Sequence, residues 1–376
     1  MKNIKINICG DLVITDKHLP TIDNEIIDFF SQSDINVVNL ECPITESTNK
    51  IEKTGLHLRG NRNAIREIAK KLNINLFTLA NNHIMDYGKE GLIDTIDFCN
   101  ENKINTVGAG VSYERAIEPI YFNCNAKKIV FLNFAENEWA NSSKKQPGAS
   151  PLNIIDNVNQ IKKEKGNADI VIIIIHGGNE YYNLPNPRMQ KQYRHYADNG
   201  ADLIVGHHPH CISGFEIYNE VPIIYSLGNF LFTKESDKES WYKGIILEIN
   251  IQLDNKIRFD LKYVIQSKEN FNLFFFKGDQ KILVQEEIQR YNKIIEKEQL
   301  LEEKWNDFLK TIKNQYLRAY SPINGVKNKK LKKILIKAGL ENKFINKSHY
   351  LSVLNHIRCE AHLEASKGIL EEYLKK

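Results

Sequence analysis

A cluster of three histidines follows a short apolar run in residues 203–210, which read LIVGHHPH. An apolar run of this length that stops at a glycine is typical of a buried strand, and in open α/β sheets ligands bind at the carboxyl ends of such strands. His208 and His210 are two positions apart, with Pro209 between them. In extended backbone, side chains two apart point the same way, so both imidazoles are expected to face one metal site. His207 is the alternative to His208, because only one of two neighbours can face that site.

Four other predicted strands also end at a possible metal ligand. These ligands are Asp11 after residues 5–10, Glu41 after 35–40, Asn82 with His83 after 75–80, and His176 after 169–175. Each has an ordinary explanation as a turn residue, but parallel strands of one sheet deliver their carboxyl ends to one edge. The repetition therefore predicts a common site. Carboxylate, amide and imidazole donors without a thiolate suit a divalent ion such as Zn, Mn or Fe(II).

Two such ions about 3.5–4 Å apart can share a bridging ligand, bind a phosphoryl oxygen and lower the pKa of bound water. Hydrolysis of a phosphoester is the reaction that this donor set favours. The sequence contains no P-loop, and the glycines of Gly108-Ala109-Gly110 lack the longer dinucleotide-binding fingerprint.

Helices and strands alternate as far as about residue 280, which predicts an α/β domain over 1–280. Helices are expected near 22–30, 63–72, 90–100, 154–163 and 187–199, a hairpin over 214–226, and an antiparallel pair over 244–265. The remainder, 281–376, is predicted to be an all-helical domain that begins with one long helix over 286–320.

The composition is that of a globular protein, with 376 residues, 42% hydrophobic and a net charge of +4. This weak positive charge does not indicate a nucleic-acid partner. The 6 cysteines form no C-x-x-C pair, which predicts reduced thiols and a cytoplasmic location. Neither a signal peptide nor a transmembrane segment is expected, since no apolar run approaches the ~20 residues that a span requires.

Six segments of the chain form a recognisable set: GD at 10–11, NLECP at 39–43, LANNHIMDYG at 79–88, HGGNEY at 176–181, GADLIVGHHPH at 200–210 and YSLGNFLF at 225–232. Together they resemble the poly-γ-glutamate capsule synthesis (CapA) family, a branch of the calcineurin-like metallophosphoesterase superfamily. The segments occur in the family's order and span roughly residues 4–265. The resemblance implies a four-layer αββα metallophosphatase-like sandwich with a centre for two divalent metals.

The resemblance also implies a role for each matching residue. Asp11 and His210 would bind the first metal, Glu41 would bridge, and Asn82, His176 and His208 would bind the second. His83 would be the acid or the residue that contacts the phosphate. Two positions depart from the pattern. Val13 stands where the superfamily has a second histidine ligand, and the spacing of nearby Asp16 and His18 does not suit that strand. Gly177 replaces the family's usual tryptophan and is expected to open space beside His176.

Other polar residues have a functional and an ordinary interpretation. Arg59 resembles a family arginine that could bind an anionic group with two hydrogen bonds, or it is a surface residue. Glu180 either binds an amine or supports a ligand histidine, or it is a carboxylate at a helix start. Asp86 is interpreted as a turn-capping or supporting residue, and Asn229 as a support for a ligand.

These observations predict a CapA-like, metal-dependent hydrolase in capsule or surface-polymer biosynthesis that acts on an anionic small molecule or polymer. The first alternative is a non-catalytic accessory protein of a polymer synthetase. The second is a nucleotide phosphodiesterase, which a pair of stacking aromatic residues at the site would support. The helical domain is expected to mediate self-association or to contact a synthetase.

Overall fold

The structure is a computed structural model that describes residues 3–15, 19–326, 328–340 and 347–374, so Asp16 and His18 lie outside the described residues. The strands are β1 Ile4–Val13, β2 Ile35–Leu40, β3 Leu76–Thr78, β4 Asn105–Val107, β5 Ala109–Gly110, β6 Ile120–Cys124, β7 Lys127–Ala135, β8 Gly148–Ala149, β9 Ile170–His176, β10 Leu203–His207, β11 Phe215–Tyr218, β12 Val221–Ile224, β13 Asn229–Phe232, β14 Lys243–Ile251, β15 Ile257–Gln266 and β16 Leu273–Phe275.

The helices are α1 Asn24–Ser31, α2 Arg62–Lys71, α3 Gly88–Glu101, α4 Tyr113–Ala116, α5 Ile154–Lys165, α6 Pro187–Asp198, α7 Gly278–Ile295, α8 Glu298–Ala319, α9 Lys329–Lys337, α10 Lys347–Arg358 and α11 Glu360–Leu374. The chain divides into two compact units, Met1–Glu302 and Glu303–Lys376.

Two large sheets form the centre of the first unit. One has eight strands in the order β16-β15-β14-β1-β2-β3-β4, with β13 also paired to β1, and the other has six in the order β11-β12-β10-β9-β7-β6. Strands β1 to β4 are parallel to one another, as are β7, β9, β10 and β12. The predicted hairpin and antiparallel pair are β11–β12 and β14–β15.

The strand β9 explains how the two sheets are covered. Every residue of this IVIIIIH strand is buried. Ile170, Ile172 and Ile174 pack in the layer between the sheets with residues of β1 and β2. Val171, Ile173 and Ile175 pack on the opposite face with residues of α5 and α6. A third apolar layer joins the outer face of the first sheet to α1, α2 and α3. The expected four-layer αββα sandwich is therefore confirmed. The carboxyl ends of the strands in both sheets, where the candidate ligands lie, belong to rigid, buried strands.

Strand β1 differs from its prediction because it continues beyond Gly10 to Val13. The pairing of β1 with β2 and with β13 shifts register around Asp11. A Cβ atom on Gly10 would lie 1.9 Å from the carbonyl oxygen of Gly228, so only glycine allows β13 to approach here. Asp11 thus lies at an irregularity within a strand rather than at its end.

The predicted long helix over 286–320 is wrong in its extent, because α7 and α8 are separate helices on either side of Glu296 and Lys297. Val284, Ile288 and Ile295 of α7 are buried. Val284 and Ile288 pack in the layer between the sheets, and Ile295 packs with residues of α6. The structure accordingly divides the chain after Glu302, later than the boundary expected near residue 280.

The second unit is helical, as expected for a C-terminal extension. Within the described residues, α9 and α10 bury no side chain. Large apolar side chains on these helices, among them Leu331, Ile334, Leu351 and Leu354, are exposed. No helix of the described residues is long and apolar enough to cross a membrane.

Ile172→Ala tests the importance of the layer between the sheets. The substitution is expected to lower the free energy of unfolding by about 2–5 kcal/mol, because it leaves a cavity in a closely packed core. Ile155→Ala, at a side chain that is 73% exposed, is the control and is expected to change it by less than about 0.5 kcal/mol. Equal losses in chemical denaturation would contradict the assignment of β9 to the core.

Candidate metal centre and its pocket

The predicted metal ligands converge at one place, but they come from both sheets rather than from one. Asp11, Glu41 and Asn82 belong to or follow β1, β2 and β3 of the first sheet. His176 ends β9, and His208 and His210 follow β10 of the second sheet. The single-sheet geometry expected from the sequence is therefore wrong, and the donors lie where the carboxyl ends of two facing sheets meet.

The donors form two groups that share one carboxylate. Glu41, His176 and His208 make one group, and Asp11, Glu41 and His210 make the other, with the ligand atoms in each group within 4.8 Å of one another. Glu41 Oε1 lies 3.3 Å from His176 Nε2 and 3.7 Å from His210 Nε2. Asn82 Oδ1 lies 3.0 Å from His176 Nε2, which places it beside the first of these groups. Glu41 is thus the one carboxylate that belongs to both groups.

Glu41 is the residue that most clearly fits a bound cation. Its side chain is fully buried, and neither carboxylate oxygen has a hydrogen-bond partner within the described residues. Burial, followed by the nearby Asp11 carboxylate, raises the pKa of Glu41 well above its usual value. A buried carboxylate without donors is costly unless a proton or a cation satisfies it. The donor set of carboxylates, an amide and imidazoles therefore fits a divalent metal.

Two buried asparagines form hydrogen bonds with the donor side chains and so orient them. Asn39 Nδ2 donates to Asp11 Oδ1 at 2.7 Å and lies 3.3 Å from His176 Nδ1. Asn229 Oδ1 lies 2.9 Å from His210 Nδ1, while its Nδ2 donates to the carbonyl of Trp241. His210 Nδ1–H therefore donates to Asn229, which leaves Nε2 facing Glu41. Such supports fix the ring orientation of metal-binding histidines, and the supporting role predicted for Asn229 agrees with this contact.

The backbone at the histidine cluster is not extended, contrary to the sequence-based expectation. His208 and His210 have φ angles of 100° and 53°, in the left-handed region that non-glycine residues rarely adopt. The turn, rather than an i, i+2 strand alternation, brings both rings to the centre. His207 ends β10, and its ring is buried outside both donor groups. The structure thus favours His208 over His207 as the donor.

The two donor groups differ in their charge state. Burial would raise the pKa of Asp11, but a hydrogen bond with His210 and the surrounding imidazoles lower it overall. Burial disfavours a proton on His210, yet the Glu41 and Asp11 carboxylates raise its pKa to about 10. Burial and the neighbouring His208 lower the pKa of His176, and burial and His210 lower that of His208. His176 and His208 are therefore neutral and ready to bind a metal, whereas His210 must first release a proton.

His83 lies beside the donors and is held by a buried ion pair. Its Nδ1 is 2.7 Å from Asp86 Oδ2, which also accepts from the backbone N–H of Leu58. Lys53 forms a salt bridge with the other oxygen of Asp86, and only 3% of the Lys53 side chain is exposed. Burial lowers the pKa of His83 despite the nearby carboxylate. Asp86 therefore supports His83, in line with its predicted supporting role.

A cavity of about 370 Å³ opens over the centre. Its lining combines His210, Asn82 and His83 with two lysines, two acids and three aromatic residues; these others are Lys53, Lys234, Glu138, Glu180, Tyr181, Phe232 and Trp241. Glu180 thus lines this cavity. Arg59 is not among the lining residues, and it donates instead to the carbonyl of Ser47 and lies over the ring of Tyr87. The structure therefore does not support the expected binding of an anionic substrate group by Arg59. The cationic side chains that line the pocket are instead those of Lys53 and Lys234.

The two departures from the family pattern have clear structural consequences. Val13 is fully buried and packs in the layer between the first sheet and its helices, so it adds no donor to the group of Asp11, Glu41 and His210. Gly177 does not open space beside His176, because the side chain of Glu136 fills it. A Cβ atom at residue 177 would lie 2.6 Å from Glu136 Cγ.

Sequence reasoning missed several residues of this site. Asn39 could have been noticed, because it is a polar residue within a predicted buried strand, two positions before Glu41. Lys53, Glu138, Lys234 and Trp241 lie in loops or a short 3₁₀ helix, and nothing in their spacing indicates that they meet. Only the tertiary structure brings them together.

The fold and the donor groups define an αββα protein with a candidate centre for two metals. Residues 5–234 match the family model described as "Bacterial capsule synthesis protein PGA_cap". The chain belongs to this family, which confirms the resemblance seen in the sequence.

Relatives agree with this assignment. "Capsule biosynthesis protein CapA" of Bacillus anthracis is 32% identical over 249 residues, or 61% of this chain and 60% of that protein. "PGA biosynthesis protein CapA" of Bacillus subtilis is 38% identical over 207 residues, or 54% of each chain. A "Probable polyglutamine synthesis accessory protein" of Mycobacterium tuberculosis is 26% identical over 52% of this chain and 55% of that protein. This chain thus matches about half to three fifths of the length of these relatives.

Among solved structures, a putative 5'-nucleotidase from Staphylococcus aureus aligns with a TM-score of 0.45 and 14% identity. The alignment covers 76% of this chain and 58% of that one. The sheets and layers of this chain establish its fold independently of that similarity.

The metal-free protein is expected to lose stability as the pH rises from about 7 to about 10. A histidine whose folded pKa is raised to about 10 contributes stability that is complete below the unfolded value of about 6.5 and disappears as the pH passes the folded value. Melting temperatures of the wild type and His210→Asn, both in chelator, provide the measurement. The melting temperature of the wild type should decline more steeply with pH than that of His210→Asn. Parallel dependence of the two melting temperatures on pH would contradict a raised pKa for His210.

Proposed function

We propose that this protein is a metal-dependent hydrolase of the phosphoesterase type that acts in capsule or surface-polymer biosynthesis. The observation that carries the proposal is the buried Glu41 carboxylate, which is shared by two donor groups and has no hydrogen-bond donor within the described residues. Family membership supports the biological setting, since the matching relatives are named for capsule and PGA biosynthesis.

In this proposal Asp11, Glu41 and His210 hold one divalent ion. Glu41, Asn82, His176 and His208 hold the other, and Mn, Zn and Fe are the ions that suit the donors. Bound ions of this kind polarise a phosphoryl oxygen and lower the pKa of water. The surrounding strands contribute rigidity, because each ligand lies at or next to a buried strand or in a tightly hydrogen-bonded turn.

His83 transfers a proton at the pocket in this proposal. Its Nδ1–H donates to the Asp86 carboxylate, which leaves Nε2 to accept a proton from a reacting group and then return it to a leaving group. The buried Asp86 stabilises the charged imidazole that this step creates, and Lys53 holds the carboxylate in place. His83 is therefore the proposed acid and base of the reaction.

The substrate is proposed to be an anionic small molecule or the end of an anionic polymer. Lys234 lines the pocket together with the candidate metal donors, and Lys238 lies 4.3 Å from the ring centre of Tyr181, which is another lining residue. Glu180 can bind an amine on such a substrate, since its exposed carboxylate faces the same cavity. No nucleic-acid partner is proposed.

The nucleotide phosphodiesterase alternative finds no support in the aromatic residues. Tyr181 and Trp241 both line the pocket, but their rings lie 6.2 Å apart at 37° to each other. Two rings in mutual contact form a wall and leave no space for a base between them. Lys238 also lies over the face of Tyr181.

Purification without chelator tests the metal-dependent reaction. The wild type should contain up to two divalent ions per chain and hydrolyse a generic phosphomonoester or phosphodiester. Glu41→Gln should lose bound metal and lose more activity than the roughly 10–100-fold typical of changes just outside the ligands of a metal. Glu101→Gln, which removes the same charge at an exposed surface pair with Arg62, is the control. A wild type with only trace metal, unrestored by Mn or Zn, would refute the proposal.

An accessory, non-catalytic role is the second candidate, and two observations favour it. Val13 leaves one donor group with only three protein ligands in the described chain. The Mycobacterium tuberculosis relative is named as an accessory protein.

Asp11→Ala and His210→Ala separate the two roles in a producing cell. Under the hydrolase proposal, both variants lose metal and both stop polymer formation. Continued polymer formation by a correctly folded, metal-free variant would show that the accessory role is sufficient.

The second unit is proposed to contact another copy of the chain or a synthetase, and the protein is proposed to act in the cytoplasm. Exposed apolar side chains on α9 and α10 support an interaction, since such faces are normally covered. The lysines of α9 keep this helix strongly basic, which suits an acidic partner surface.

A further inference from the structure

Glu138 lies in the loop after β7 and faces two of the donors assigned to the second metal. Its Oε2 accepts a hydrogen bond of 3.5 Å from Asn82 Nδ2. Its Oε1 lies 4.0 Å from His208 Nε2. The contact with Asn82 is a hydrogen bond, whereas the distance to His208 exceeds hydrogen-bond length and only places the carboxylate beside Nε2.

These contacts bear on which atoms of Asn82 and His208 face the centre. An asparagine amide presents either oxygen or nitrogen, and only the oxygen can bind a metal. Donation from Nδ2 to Glu138 leaves Oδ1 directed at His176 Nε2, 3.0 Å away. For His208, Nδ1 lies 3.1 Å from His176 Nε2, so Nε2 is the outward nitrogen. Metal-binding histidines usually donate this second N–H to a carboxylate or carbonyl.

We propose that Glu138 is a positioning residue for the second metal: its hydrogen bond holds the Asn82 amide oxygen toward the ion, and its carboxylate lies beside the outward Nε2 of His208. This role deepens the proposed function and rests on its metal centre. Glu138 itself belongs to neither donor group.

A second carboxylate of the same loop fixes the place of Glu138. The backbone N–H of Glu136 donates to the carbonyl of His176 at 2.9 Å, and its Oε2 accepts from the backbone N–H of Gly178 at 2.9 Å. Its other oxygen is paired with Arg188 of α6. The loop is thus fastened to the strand end that carries His176.

This fastening depends on glycine at residue 177. Because a Cβ atom there would lie 2.6 Å from Glu136 Cγ, any larger side chain would displace Glu136. On the far side of Glu138, Trp139 Nε1 donates to Thr54 Oγ1 at 3.2 Å, which ties the loop to the opposite rim of the pocket. Gly177 and Glu136 therefore act as a matched pair that replaces the bulky residue expected in the family pattern.

The test compares Glu138→Ala with Glu180→Ala in the purified full chain. Zn²⁺ affinity is measured by calorimetry, and the visible absorption of added Co²⁺ reports the ligand geometry. Both variants remove one carboxylate from the same pocket, but only Glu138 contacts Asn82. Glu138→Ala should weaken one of two binding events by about 10–100-fold and change the Co²⁺ spectrum. Glu180→Ala should weaken binding less and leave the spectrum unchanged.

Glu138→Gln separates hydrogen bonding from charge. Its amide oxygen can still accept the hydrogen bond from Asn82 Nδ2, so the expected affinity lies between those of the wild type and Glu138→Ala. Equal weakening of Zn²⁺ affinity by Glu138→Ala, Glu138→Gln and Glu180→Ala would show that only the electric field of the carboxylates matters, which would overturn the proposal. Unchanged Zn²⁺ affinity in Glu138→Ala would also overturn it. A wild type that binds no metal would refute the proposed function and this role together.

Arg188→Met removes the ion pair between Arg188 and Glu136, and so tests, at a distance from the donors, whether this contact holds the loop after β7 in place. Release of Glu136 should weaken the same binding event in the same direction, with a smaller change than Glu138→Ala. Arg115→Met is the matched control, because Arg115 pairs with Glu118 on the exposed surface of the chain. Thermal melting of each variant confirms that it is folded. Unchanged Zn²⁺ affinity in folded Arg188→Met would refute the role of the Glu136 contact.

Discussion

The arrangement of this site depends on the burial of one carboxylate that the protein itself does not satisfy. Glu41 lies between imidazoles from the second sheet, and its burial excludes the water that would otherwise solvate its charge. Such a group costs free energy in the folded state unless a cation or proton compensates it. His210 supplies part of this compensation by keeping a proton to unusually high pH. A divalent ion would replace that proton, which links metal binding to pH and to stability.

The two sheets make this costly arrangement possible. Residues of β9 fill the layer between the sheets on one face and the layer against the helices on the other, so the strand cannot shift without disturbing both. The site lies at the carboxyl ends of these fixed strands. Around the donors, Asn39 and Asn229 supply hydrogen bonds from buried positions, and the loop of Glu136 and Glu138 adds contacts from the pocket side. Metal ligands, their supports and the substrate pocket thus come from separate parts of the chain.

Much of the fold could be predicted from local pattern. Continuous apolar runs indicated buried strands, and their termination at Asp, Glu, Asn and His indicated a common site. The long helix over 286–320 was predicted wrongly because the helical pattern of the sequence continues across Glu296 and Lys297, where α7 and α8 are in fact separate. The extended geometry assigned to His208 and His210 failed for a similar reason. A turn with left-handed residues leaves no regular mark in the sequence.

The sequence by itself determined the donor types, their places in or just after predicted strands and the family to which the chain belongs, because these follow from residue identity and short-range spacing. The tertiary structure decided which donors meet, since each donor group combines residues from both sheets. It also turned Arg59 away from the pocket, brought Lys53 to Asp86 and filled the space at Gly177 with Glu136. Such contacts join residues far apart in the chain, and only the packing of the whole domain fixes their distances.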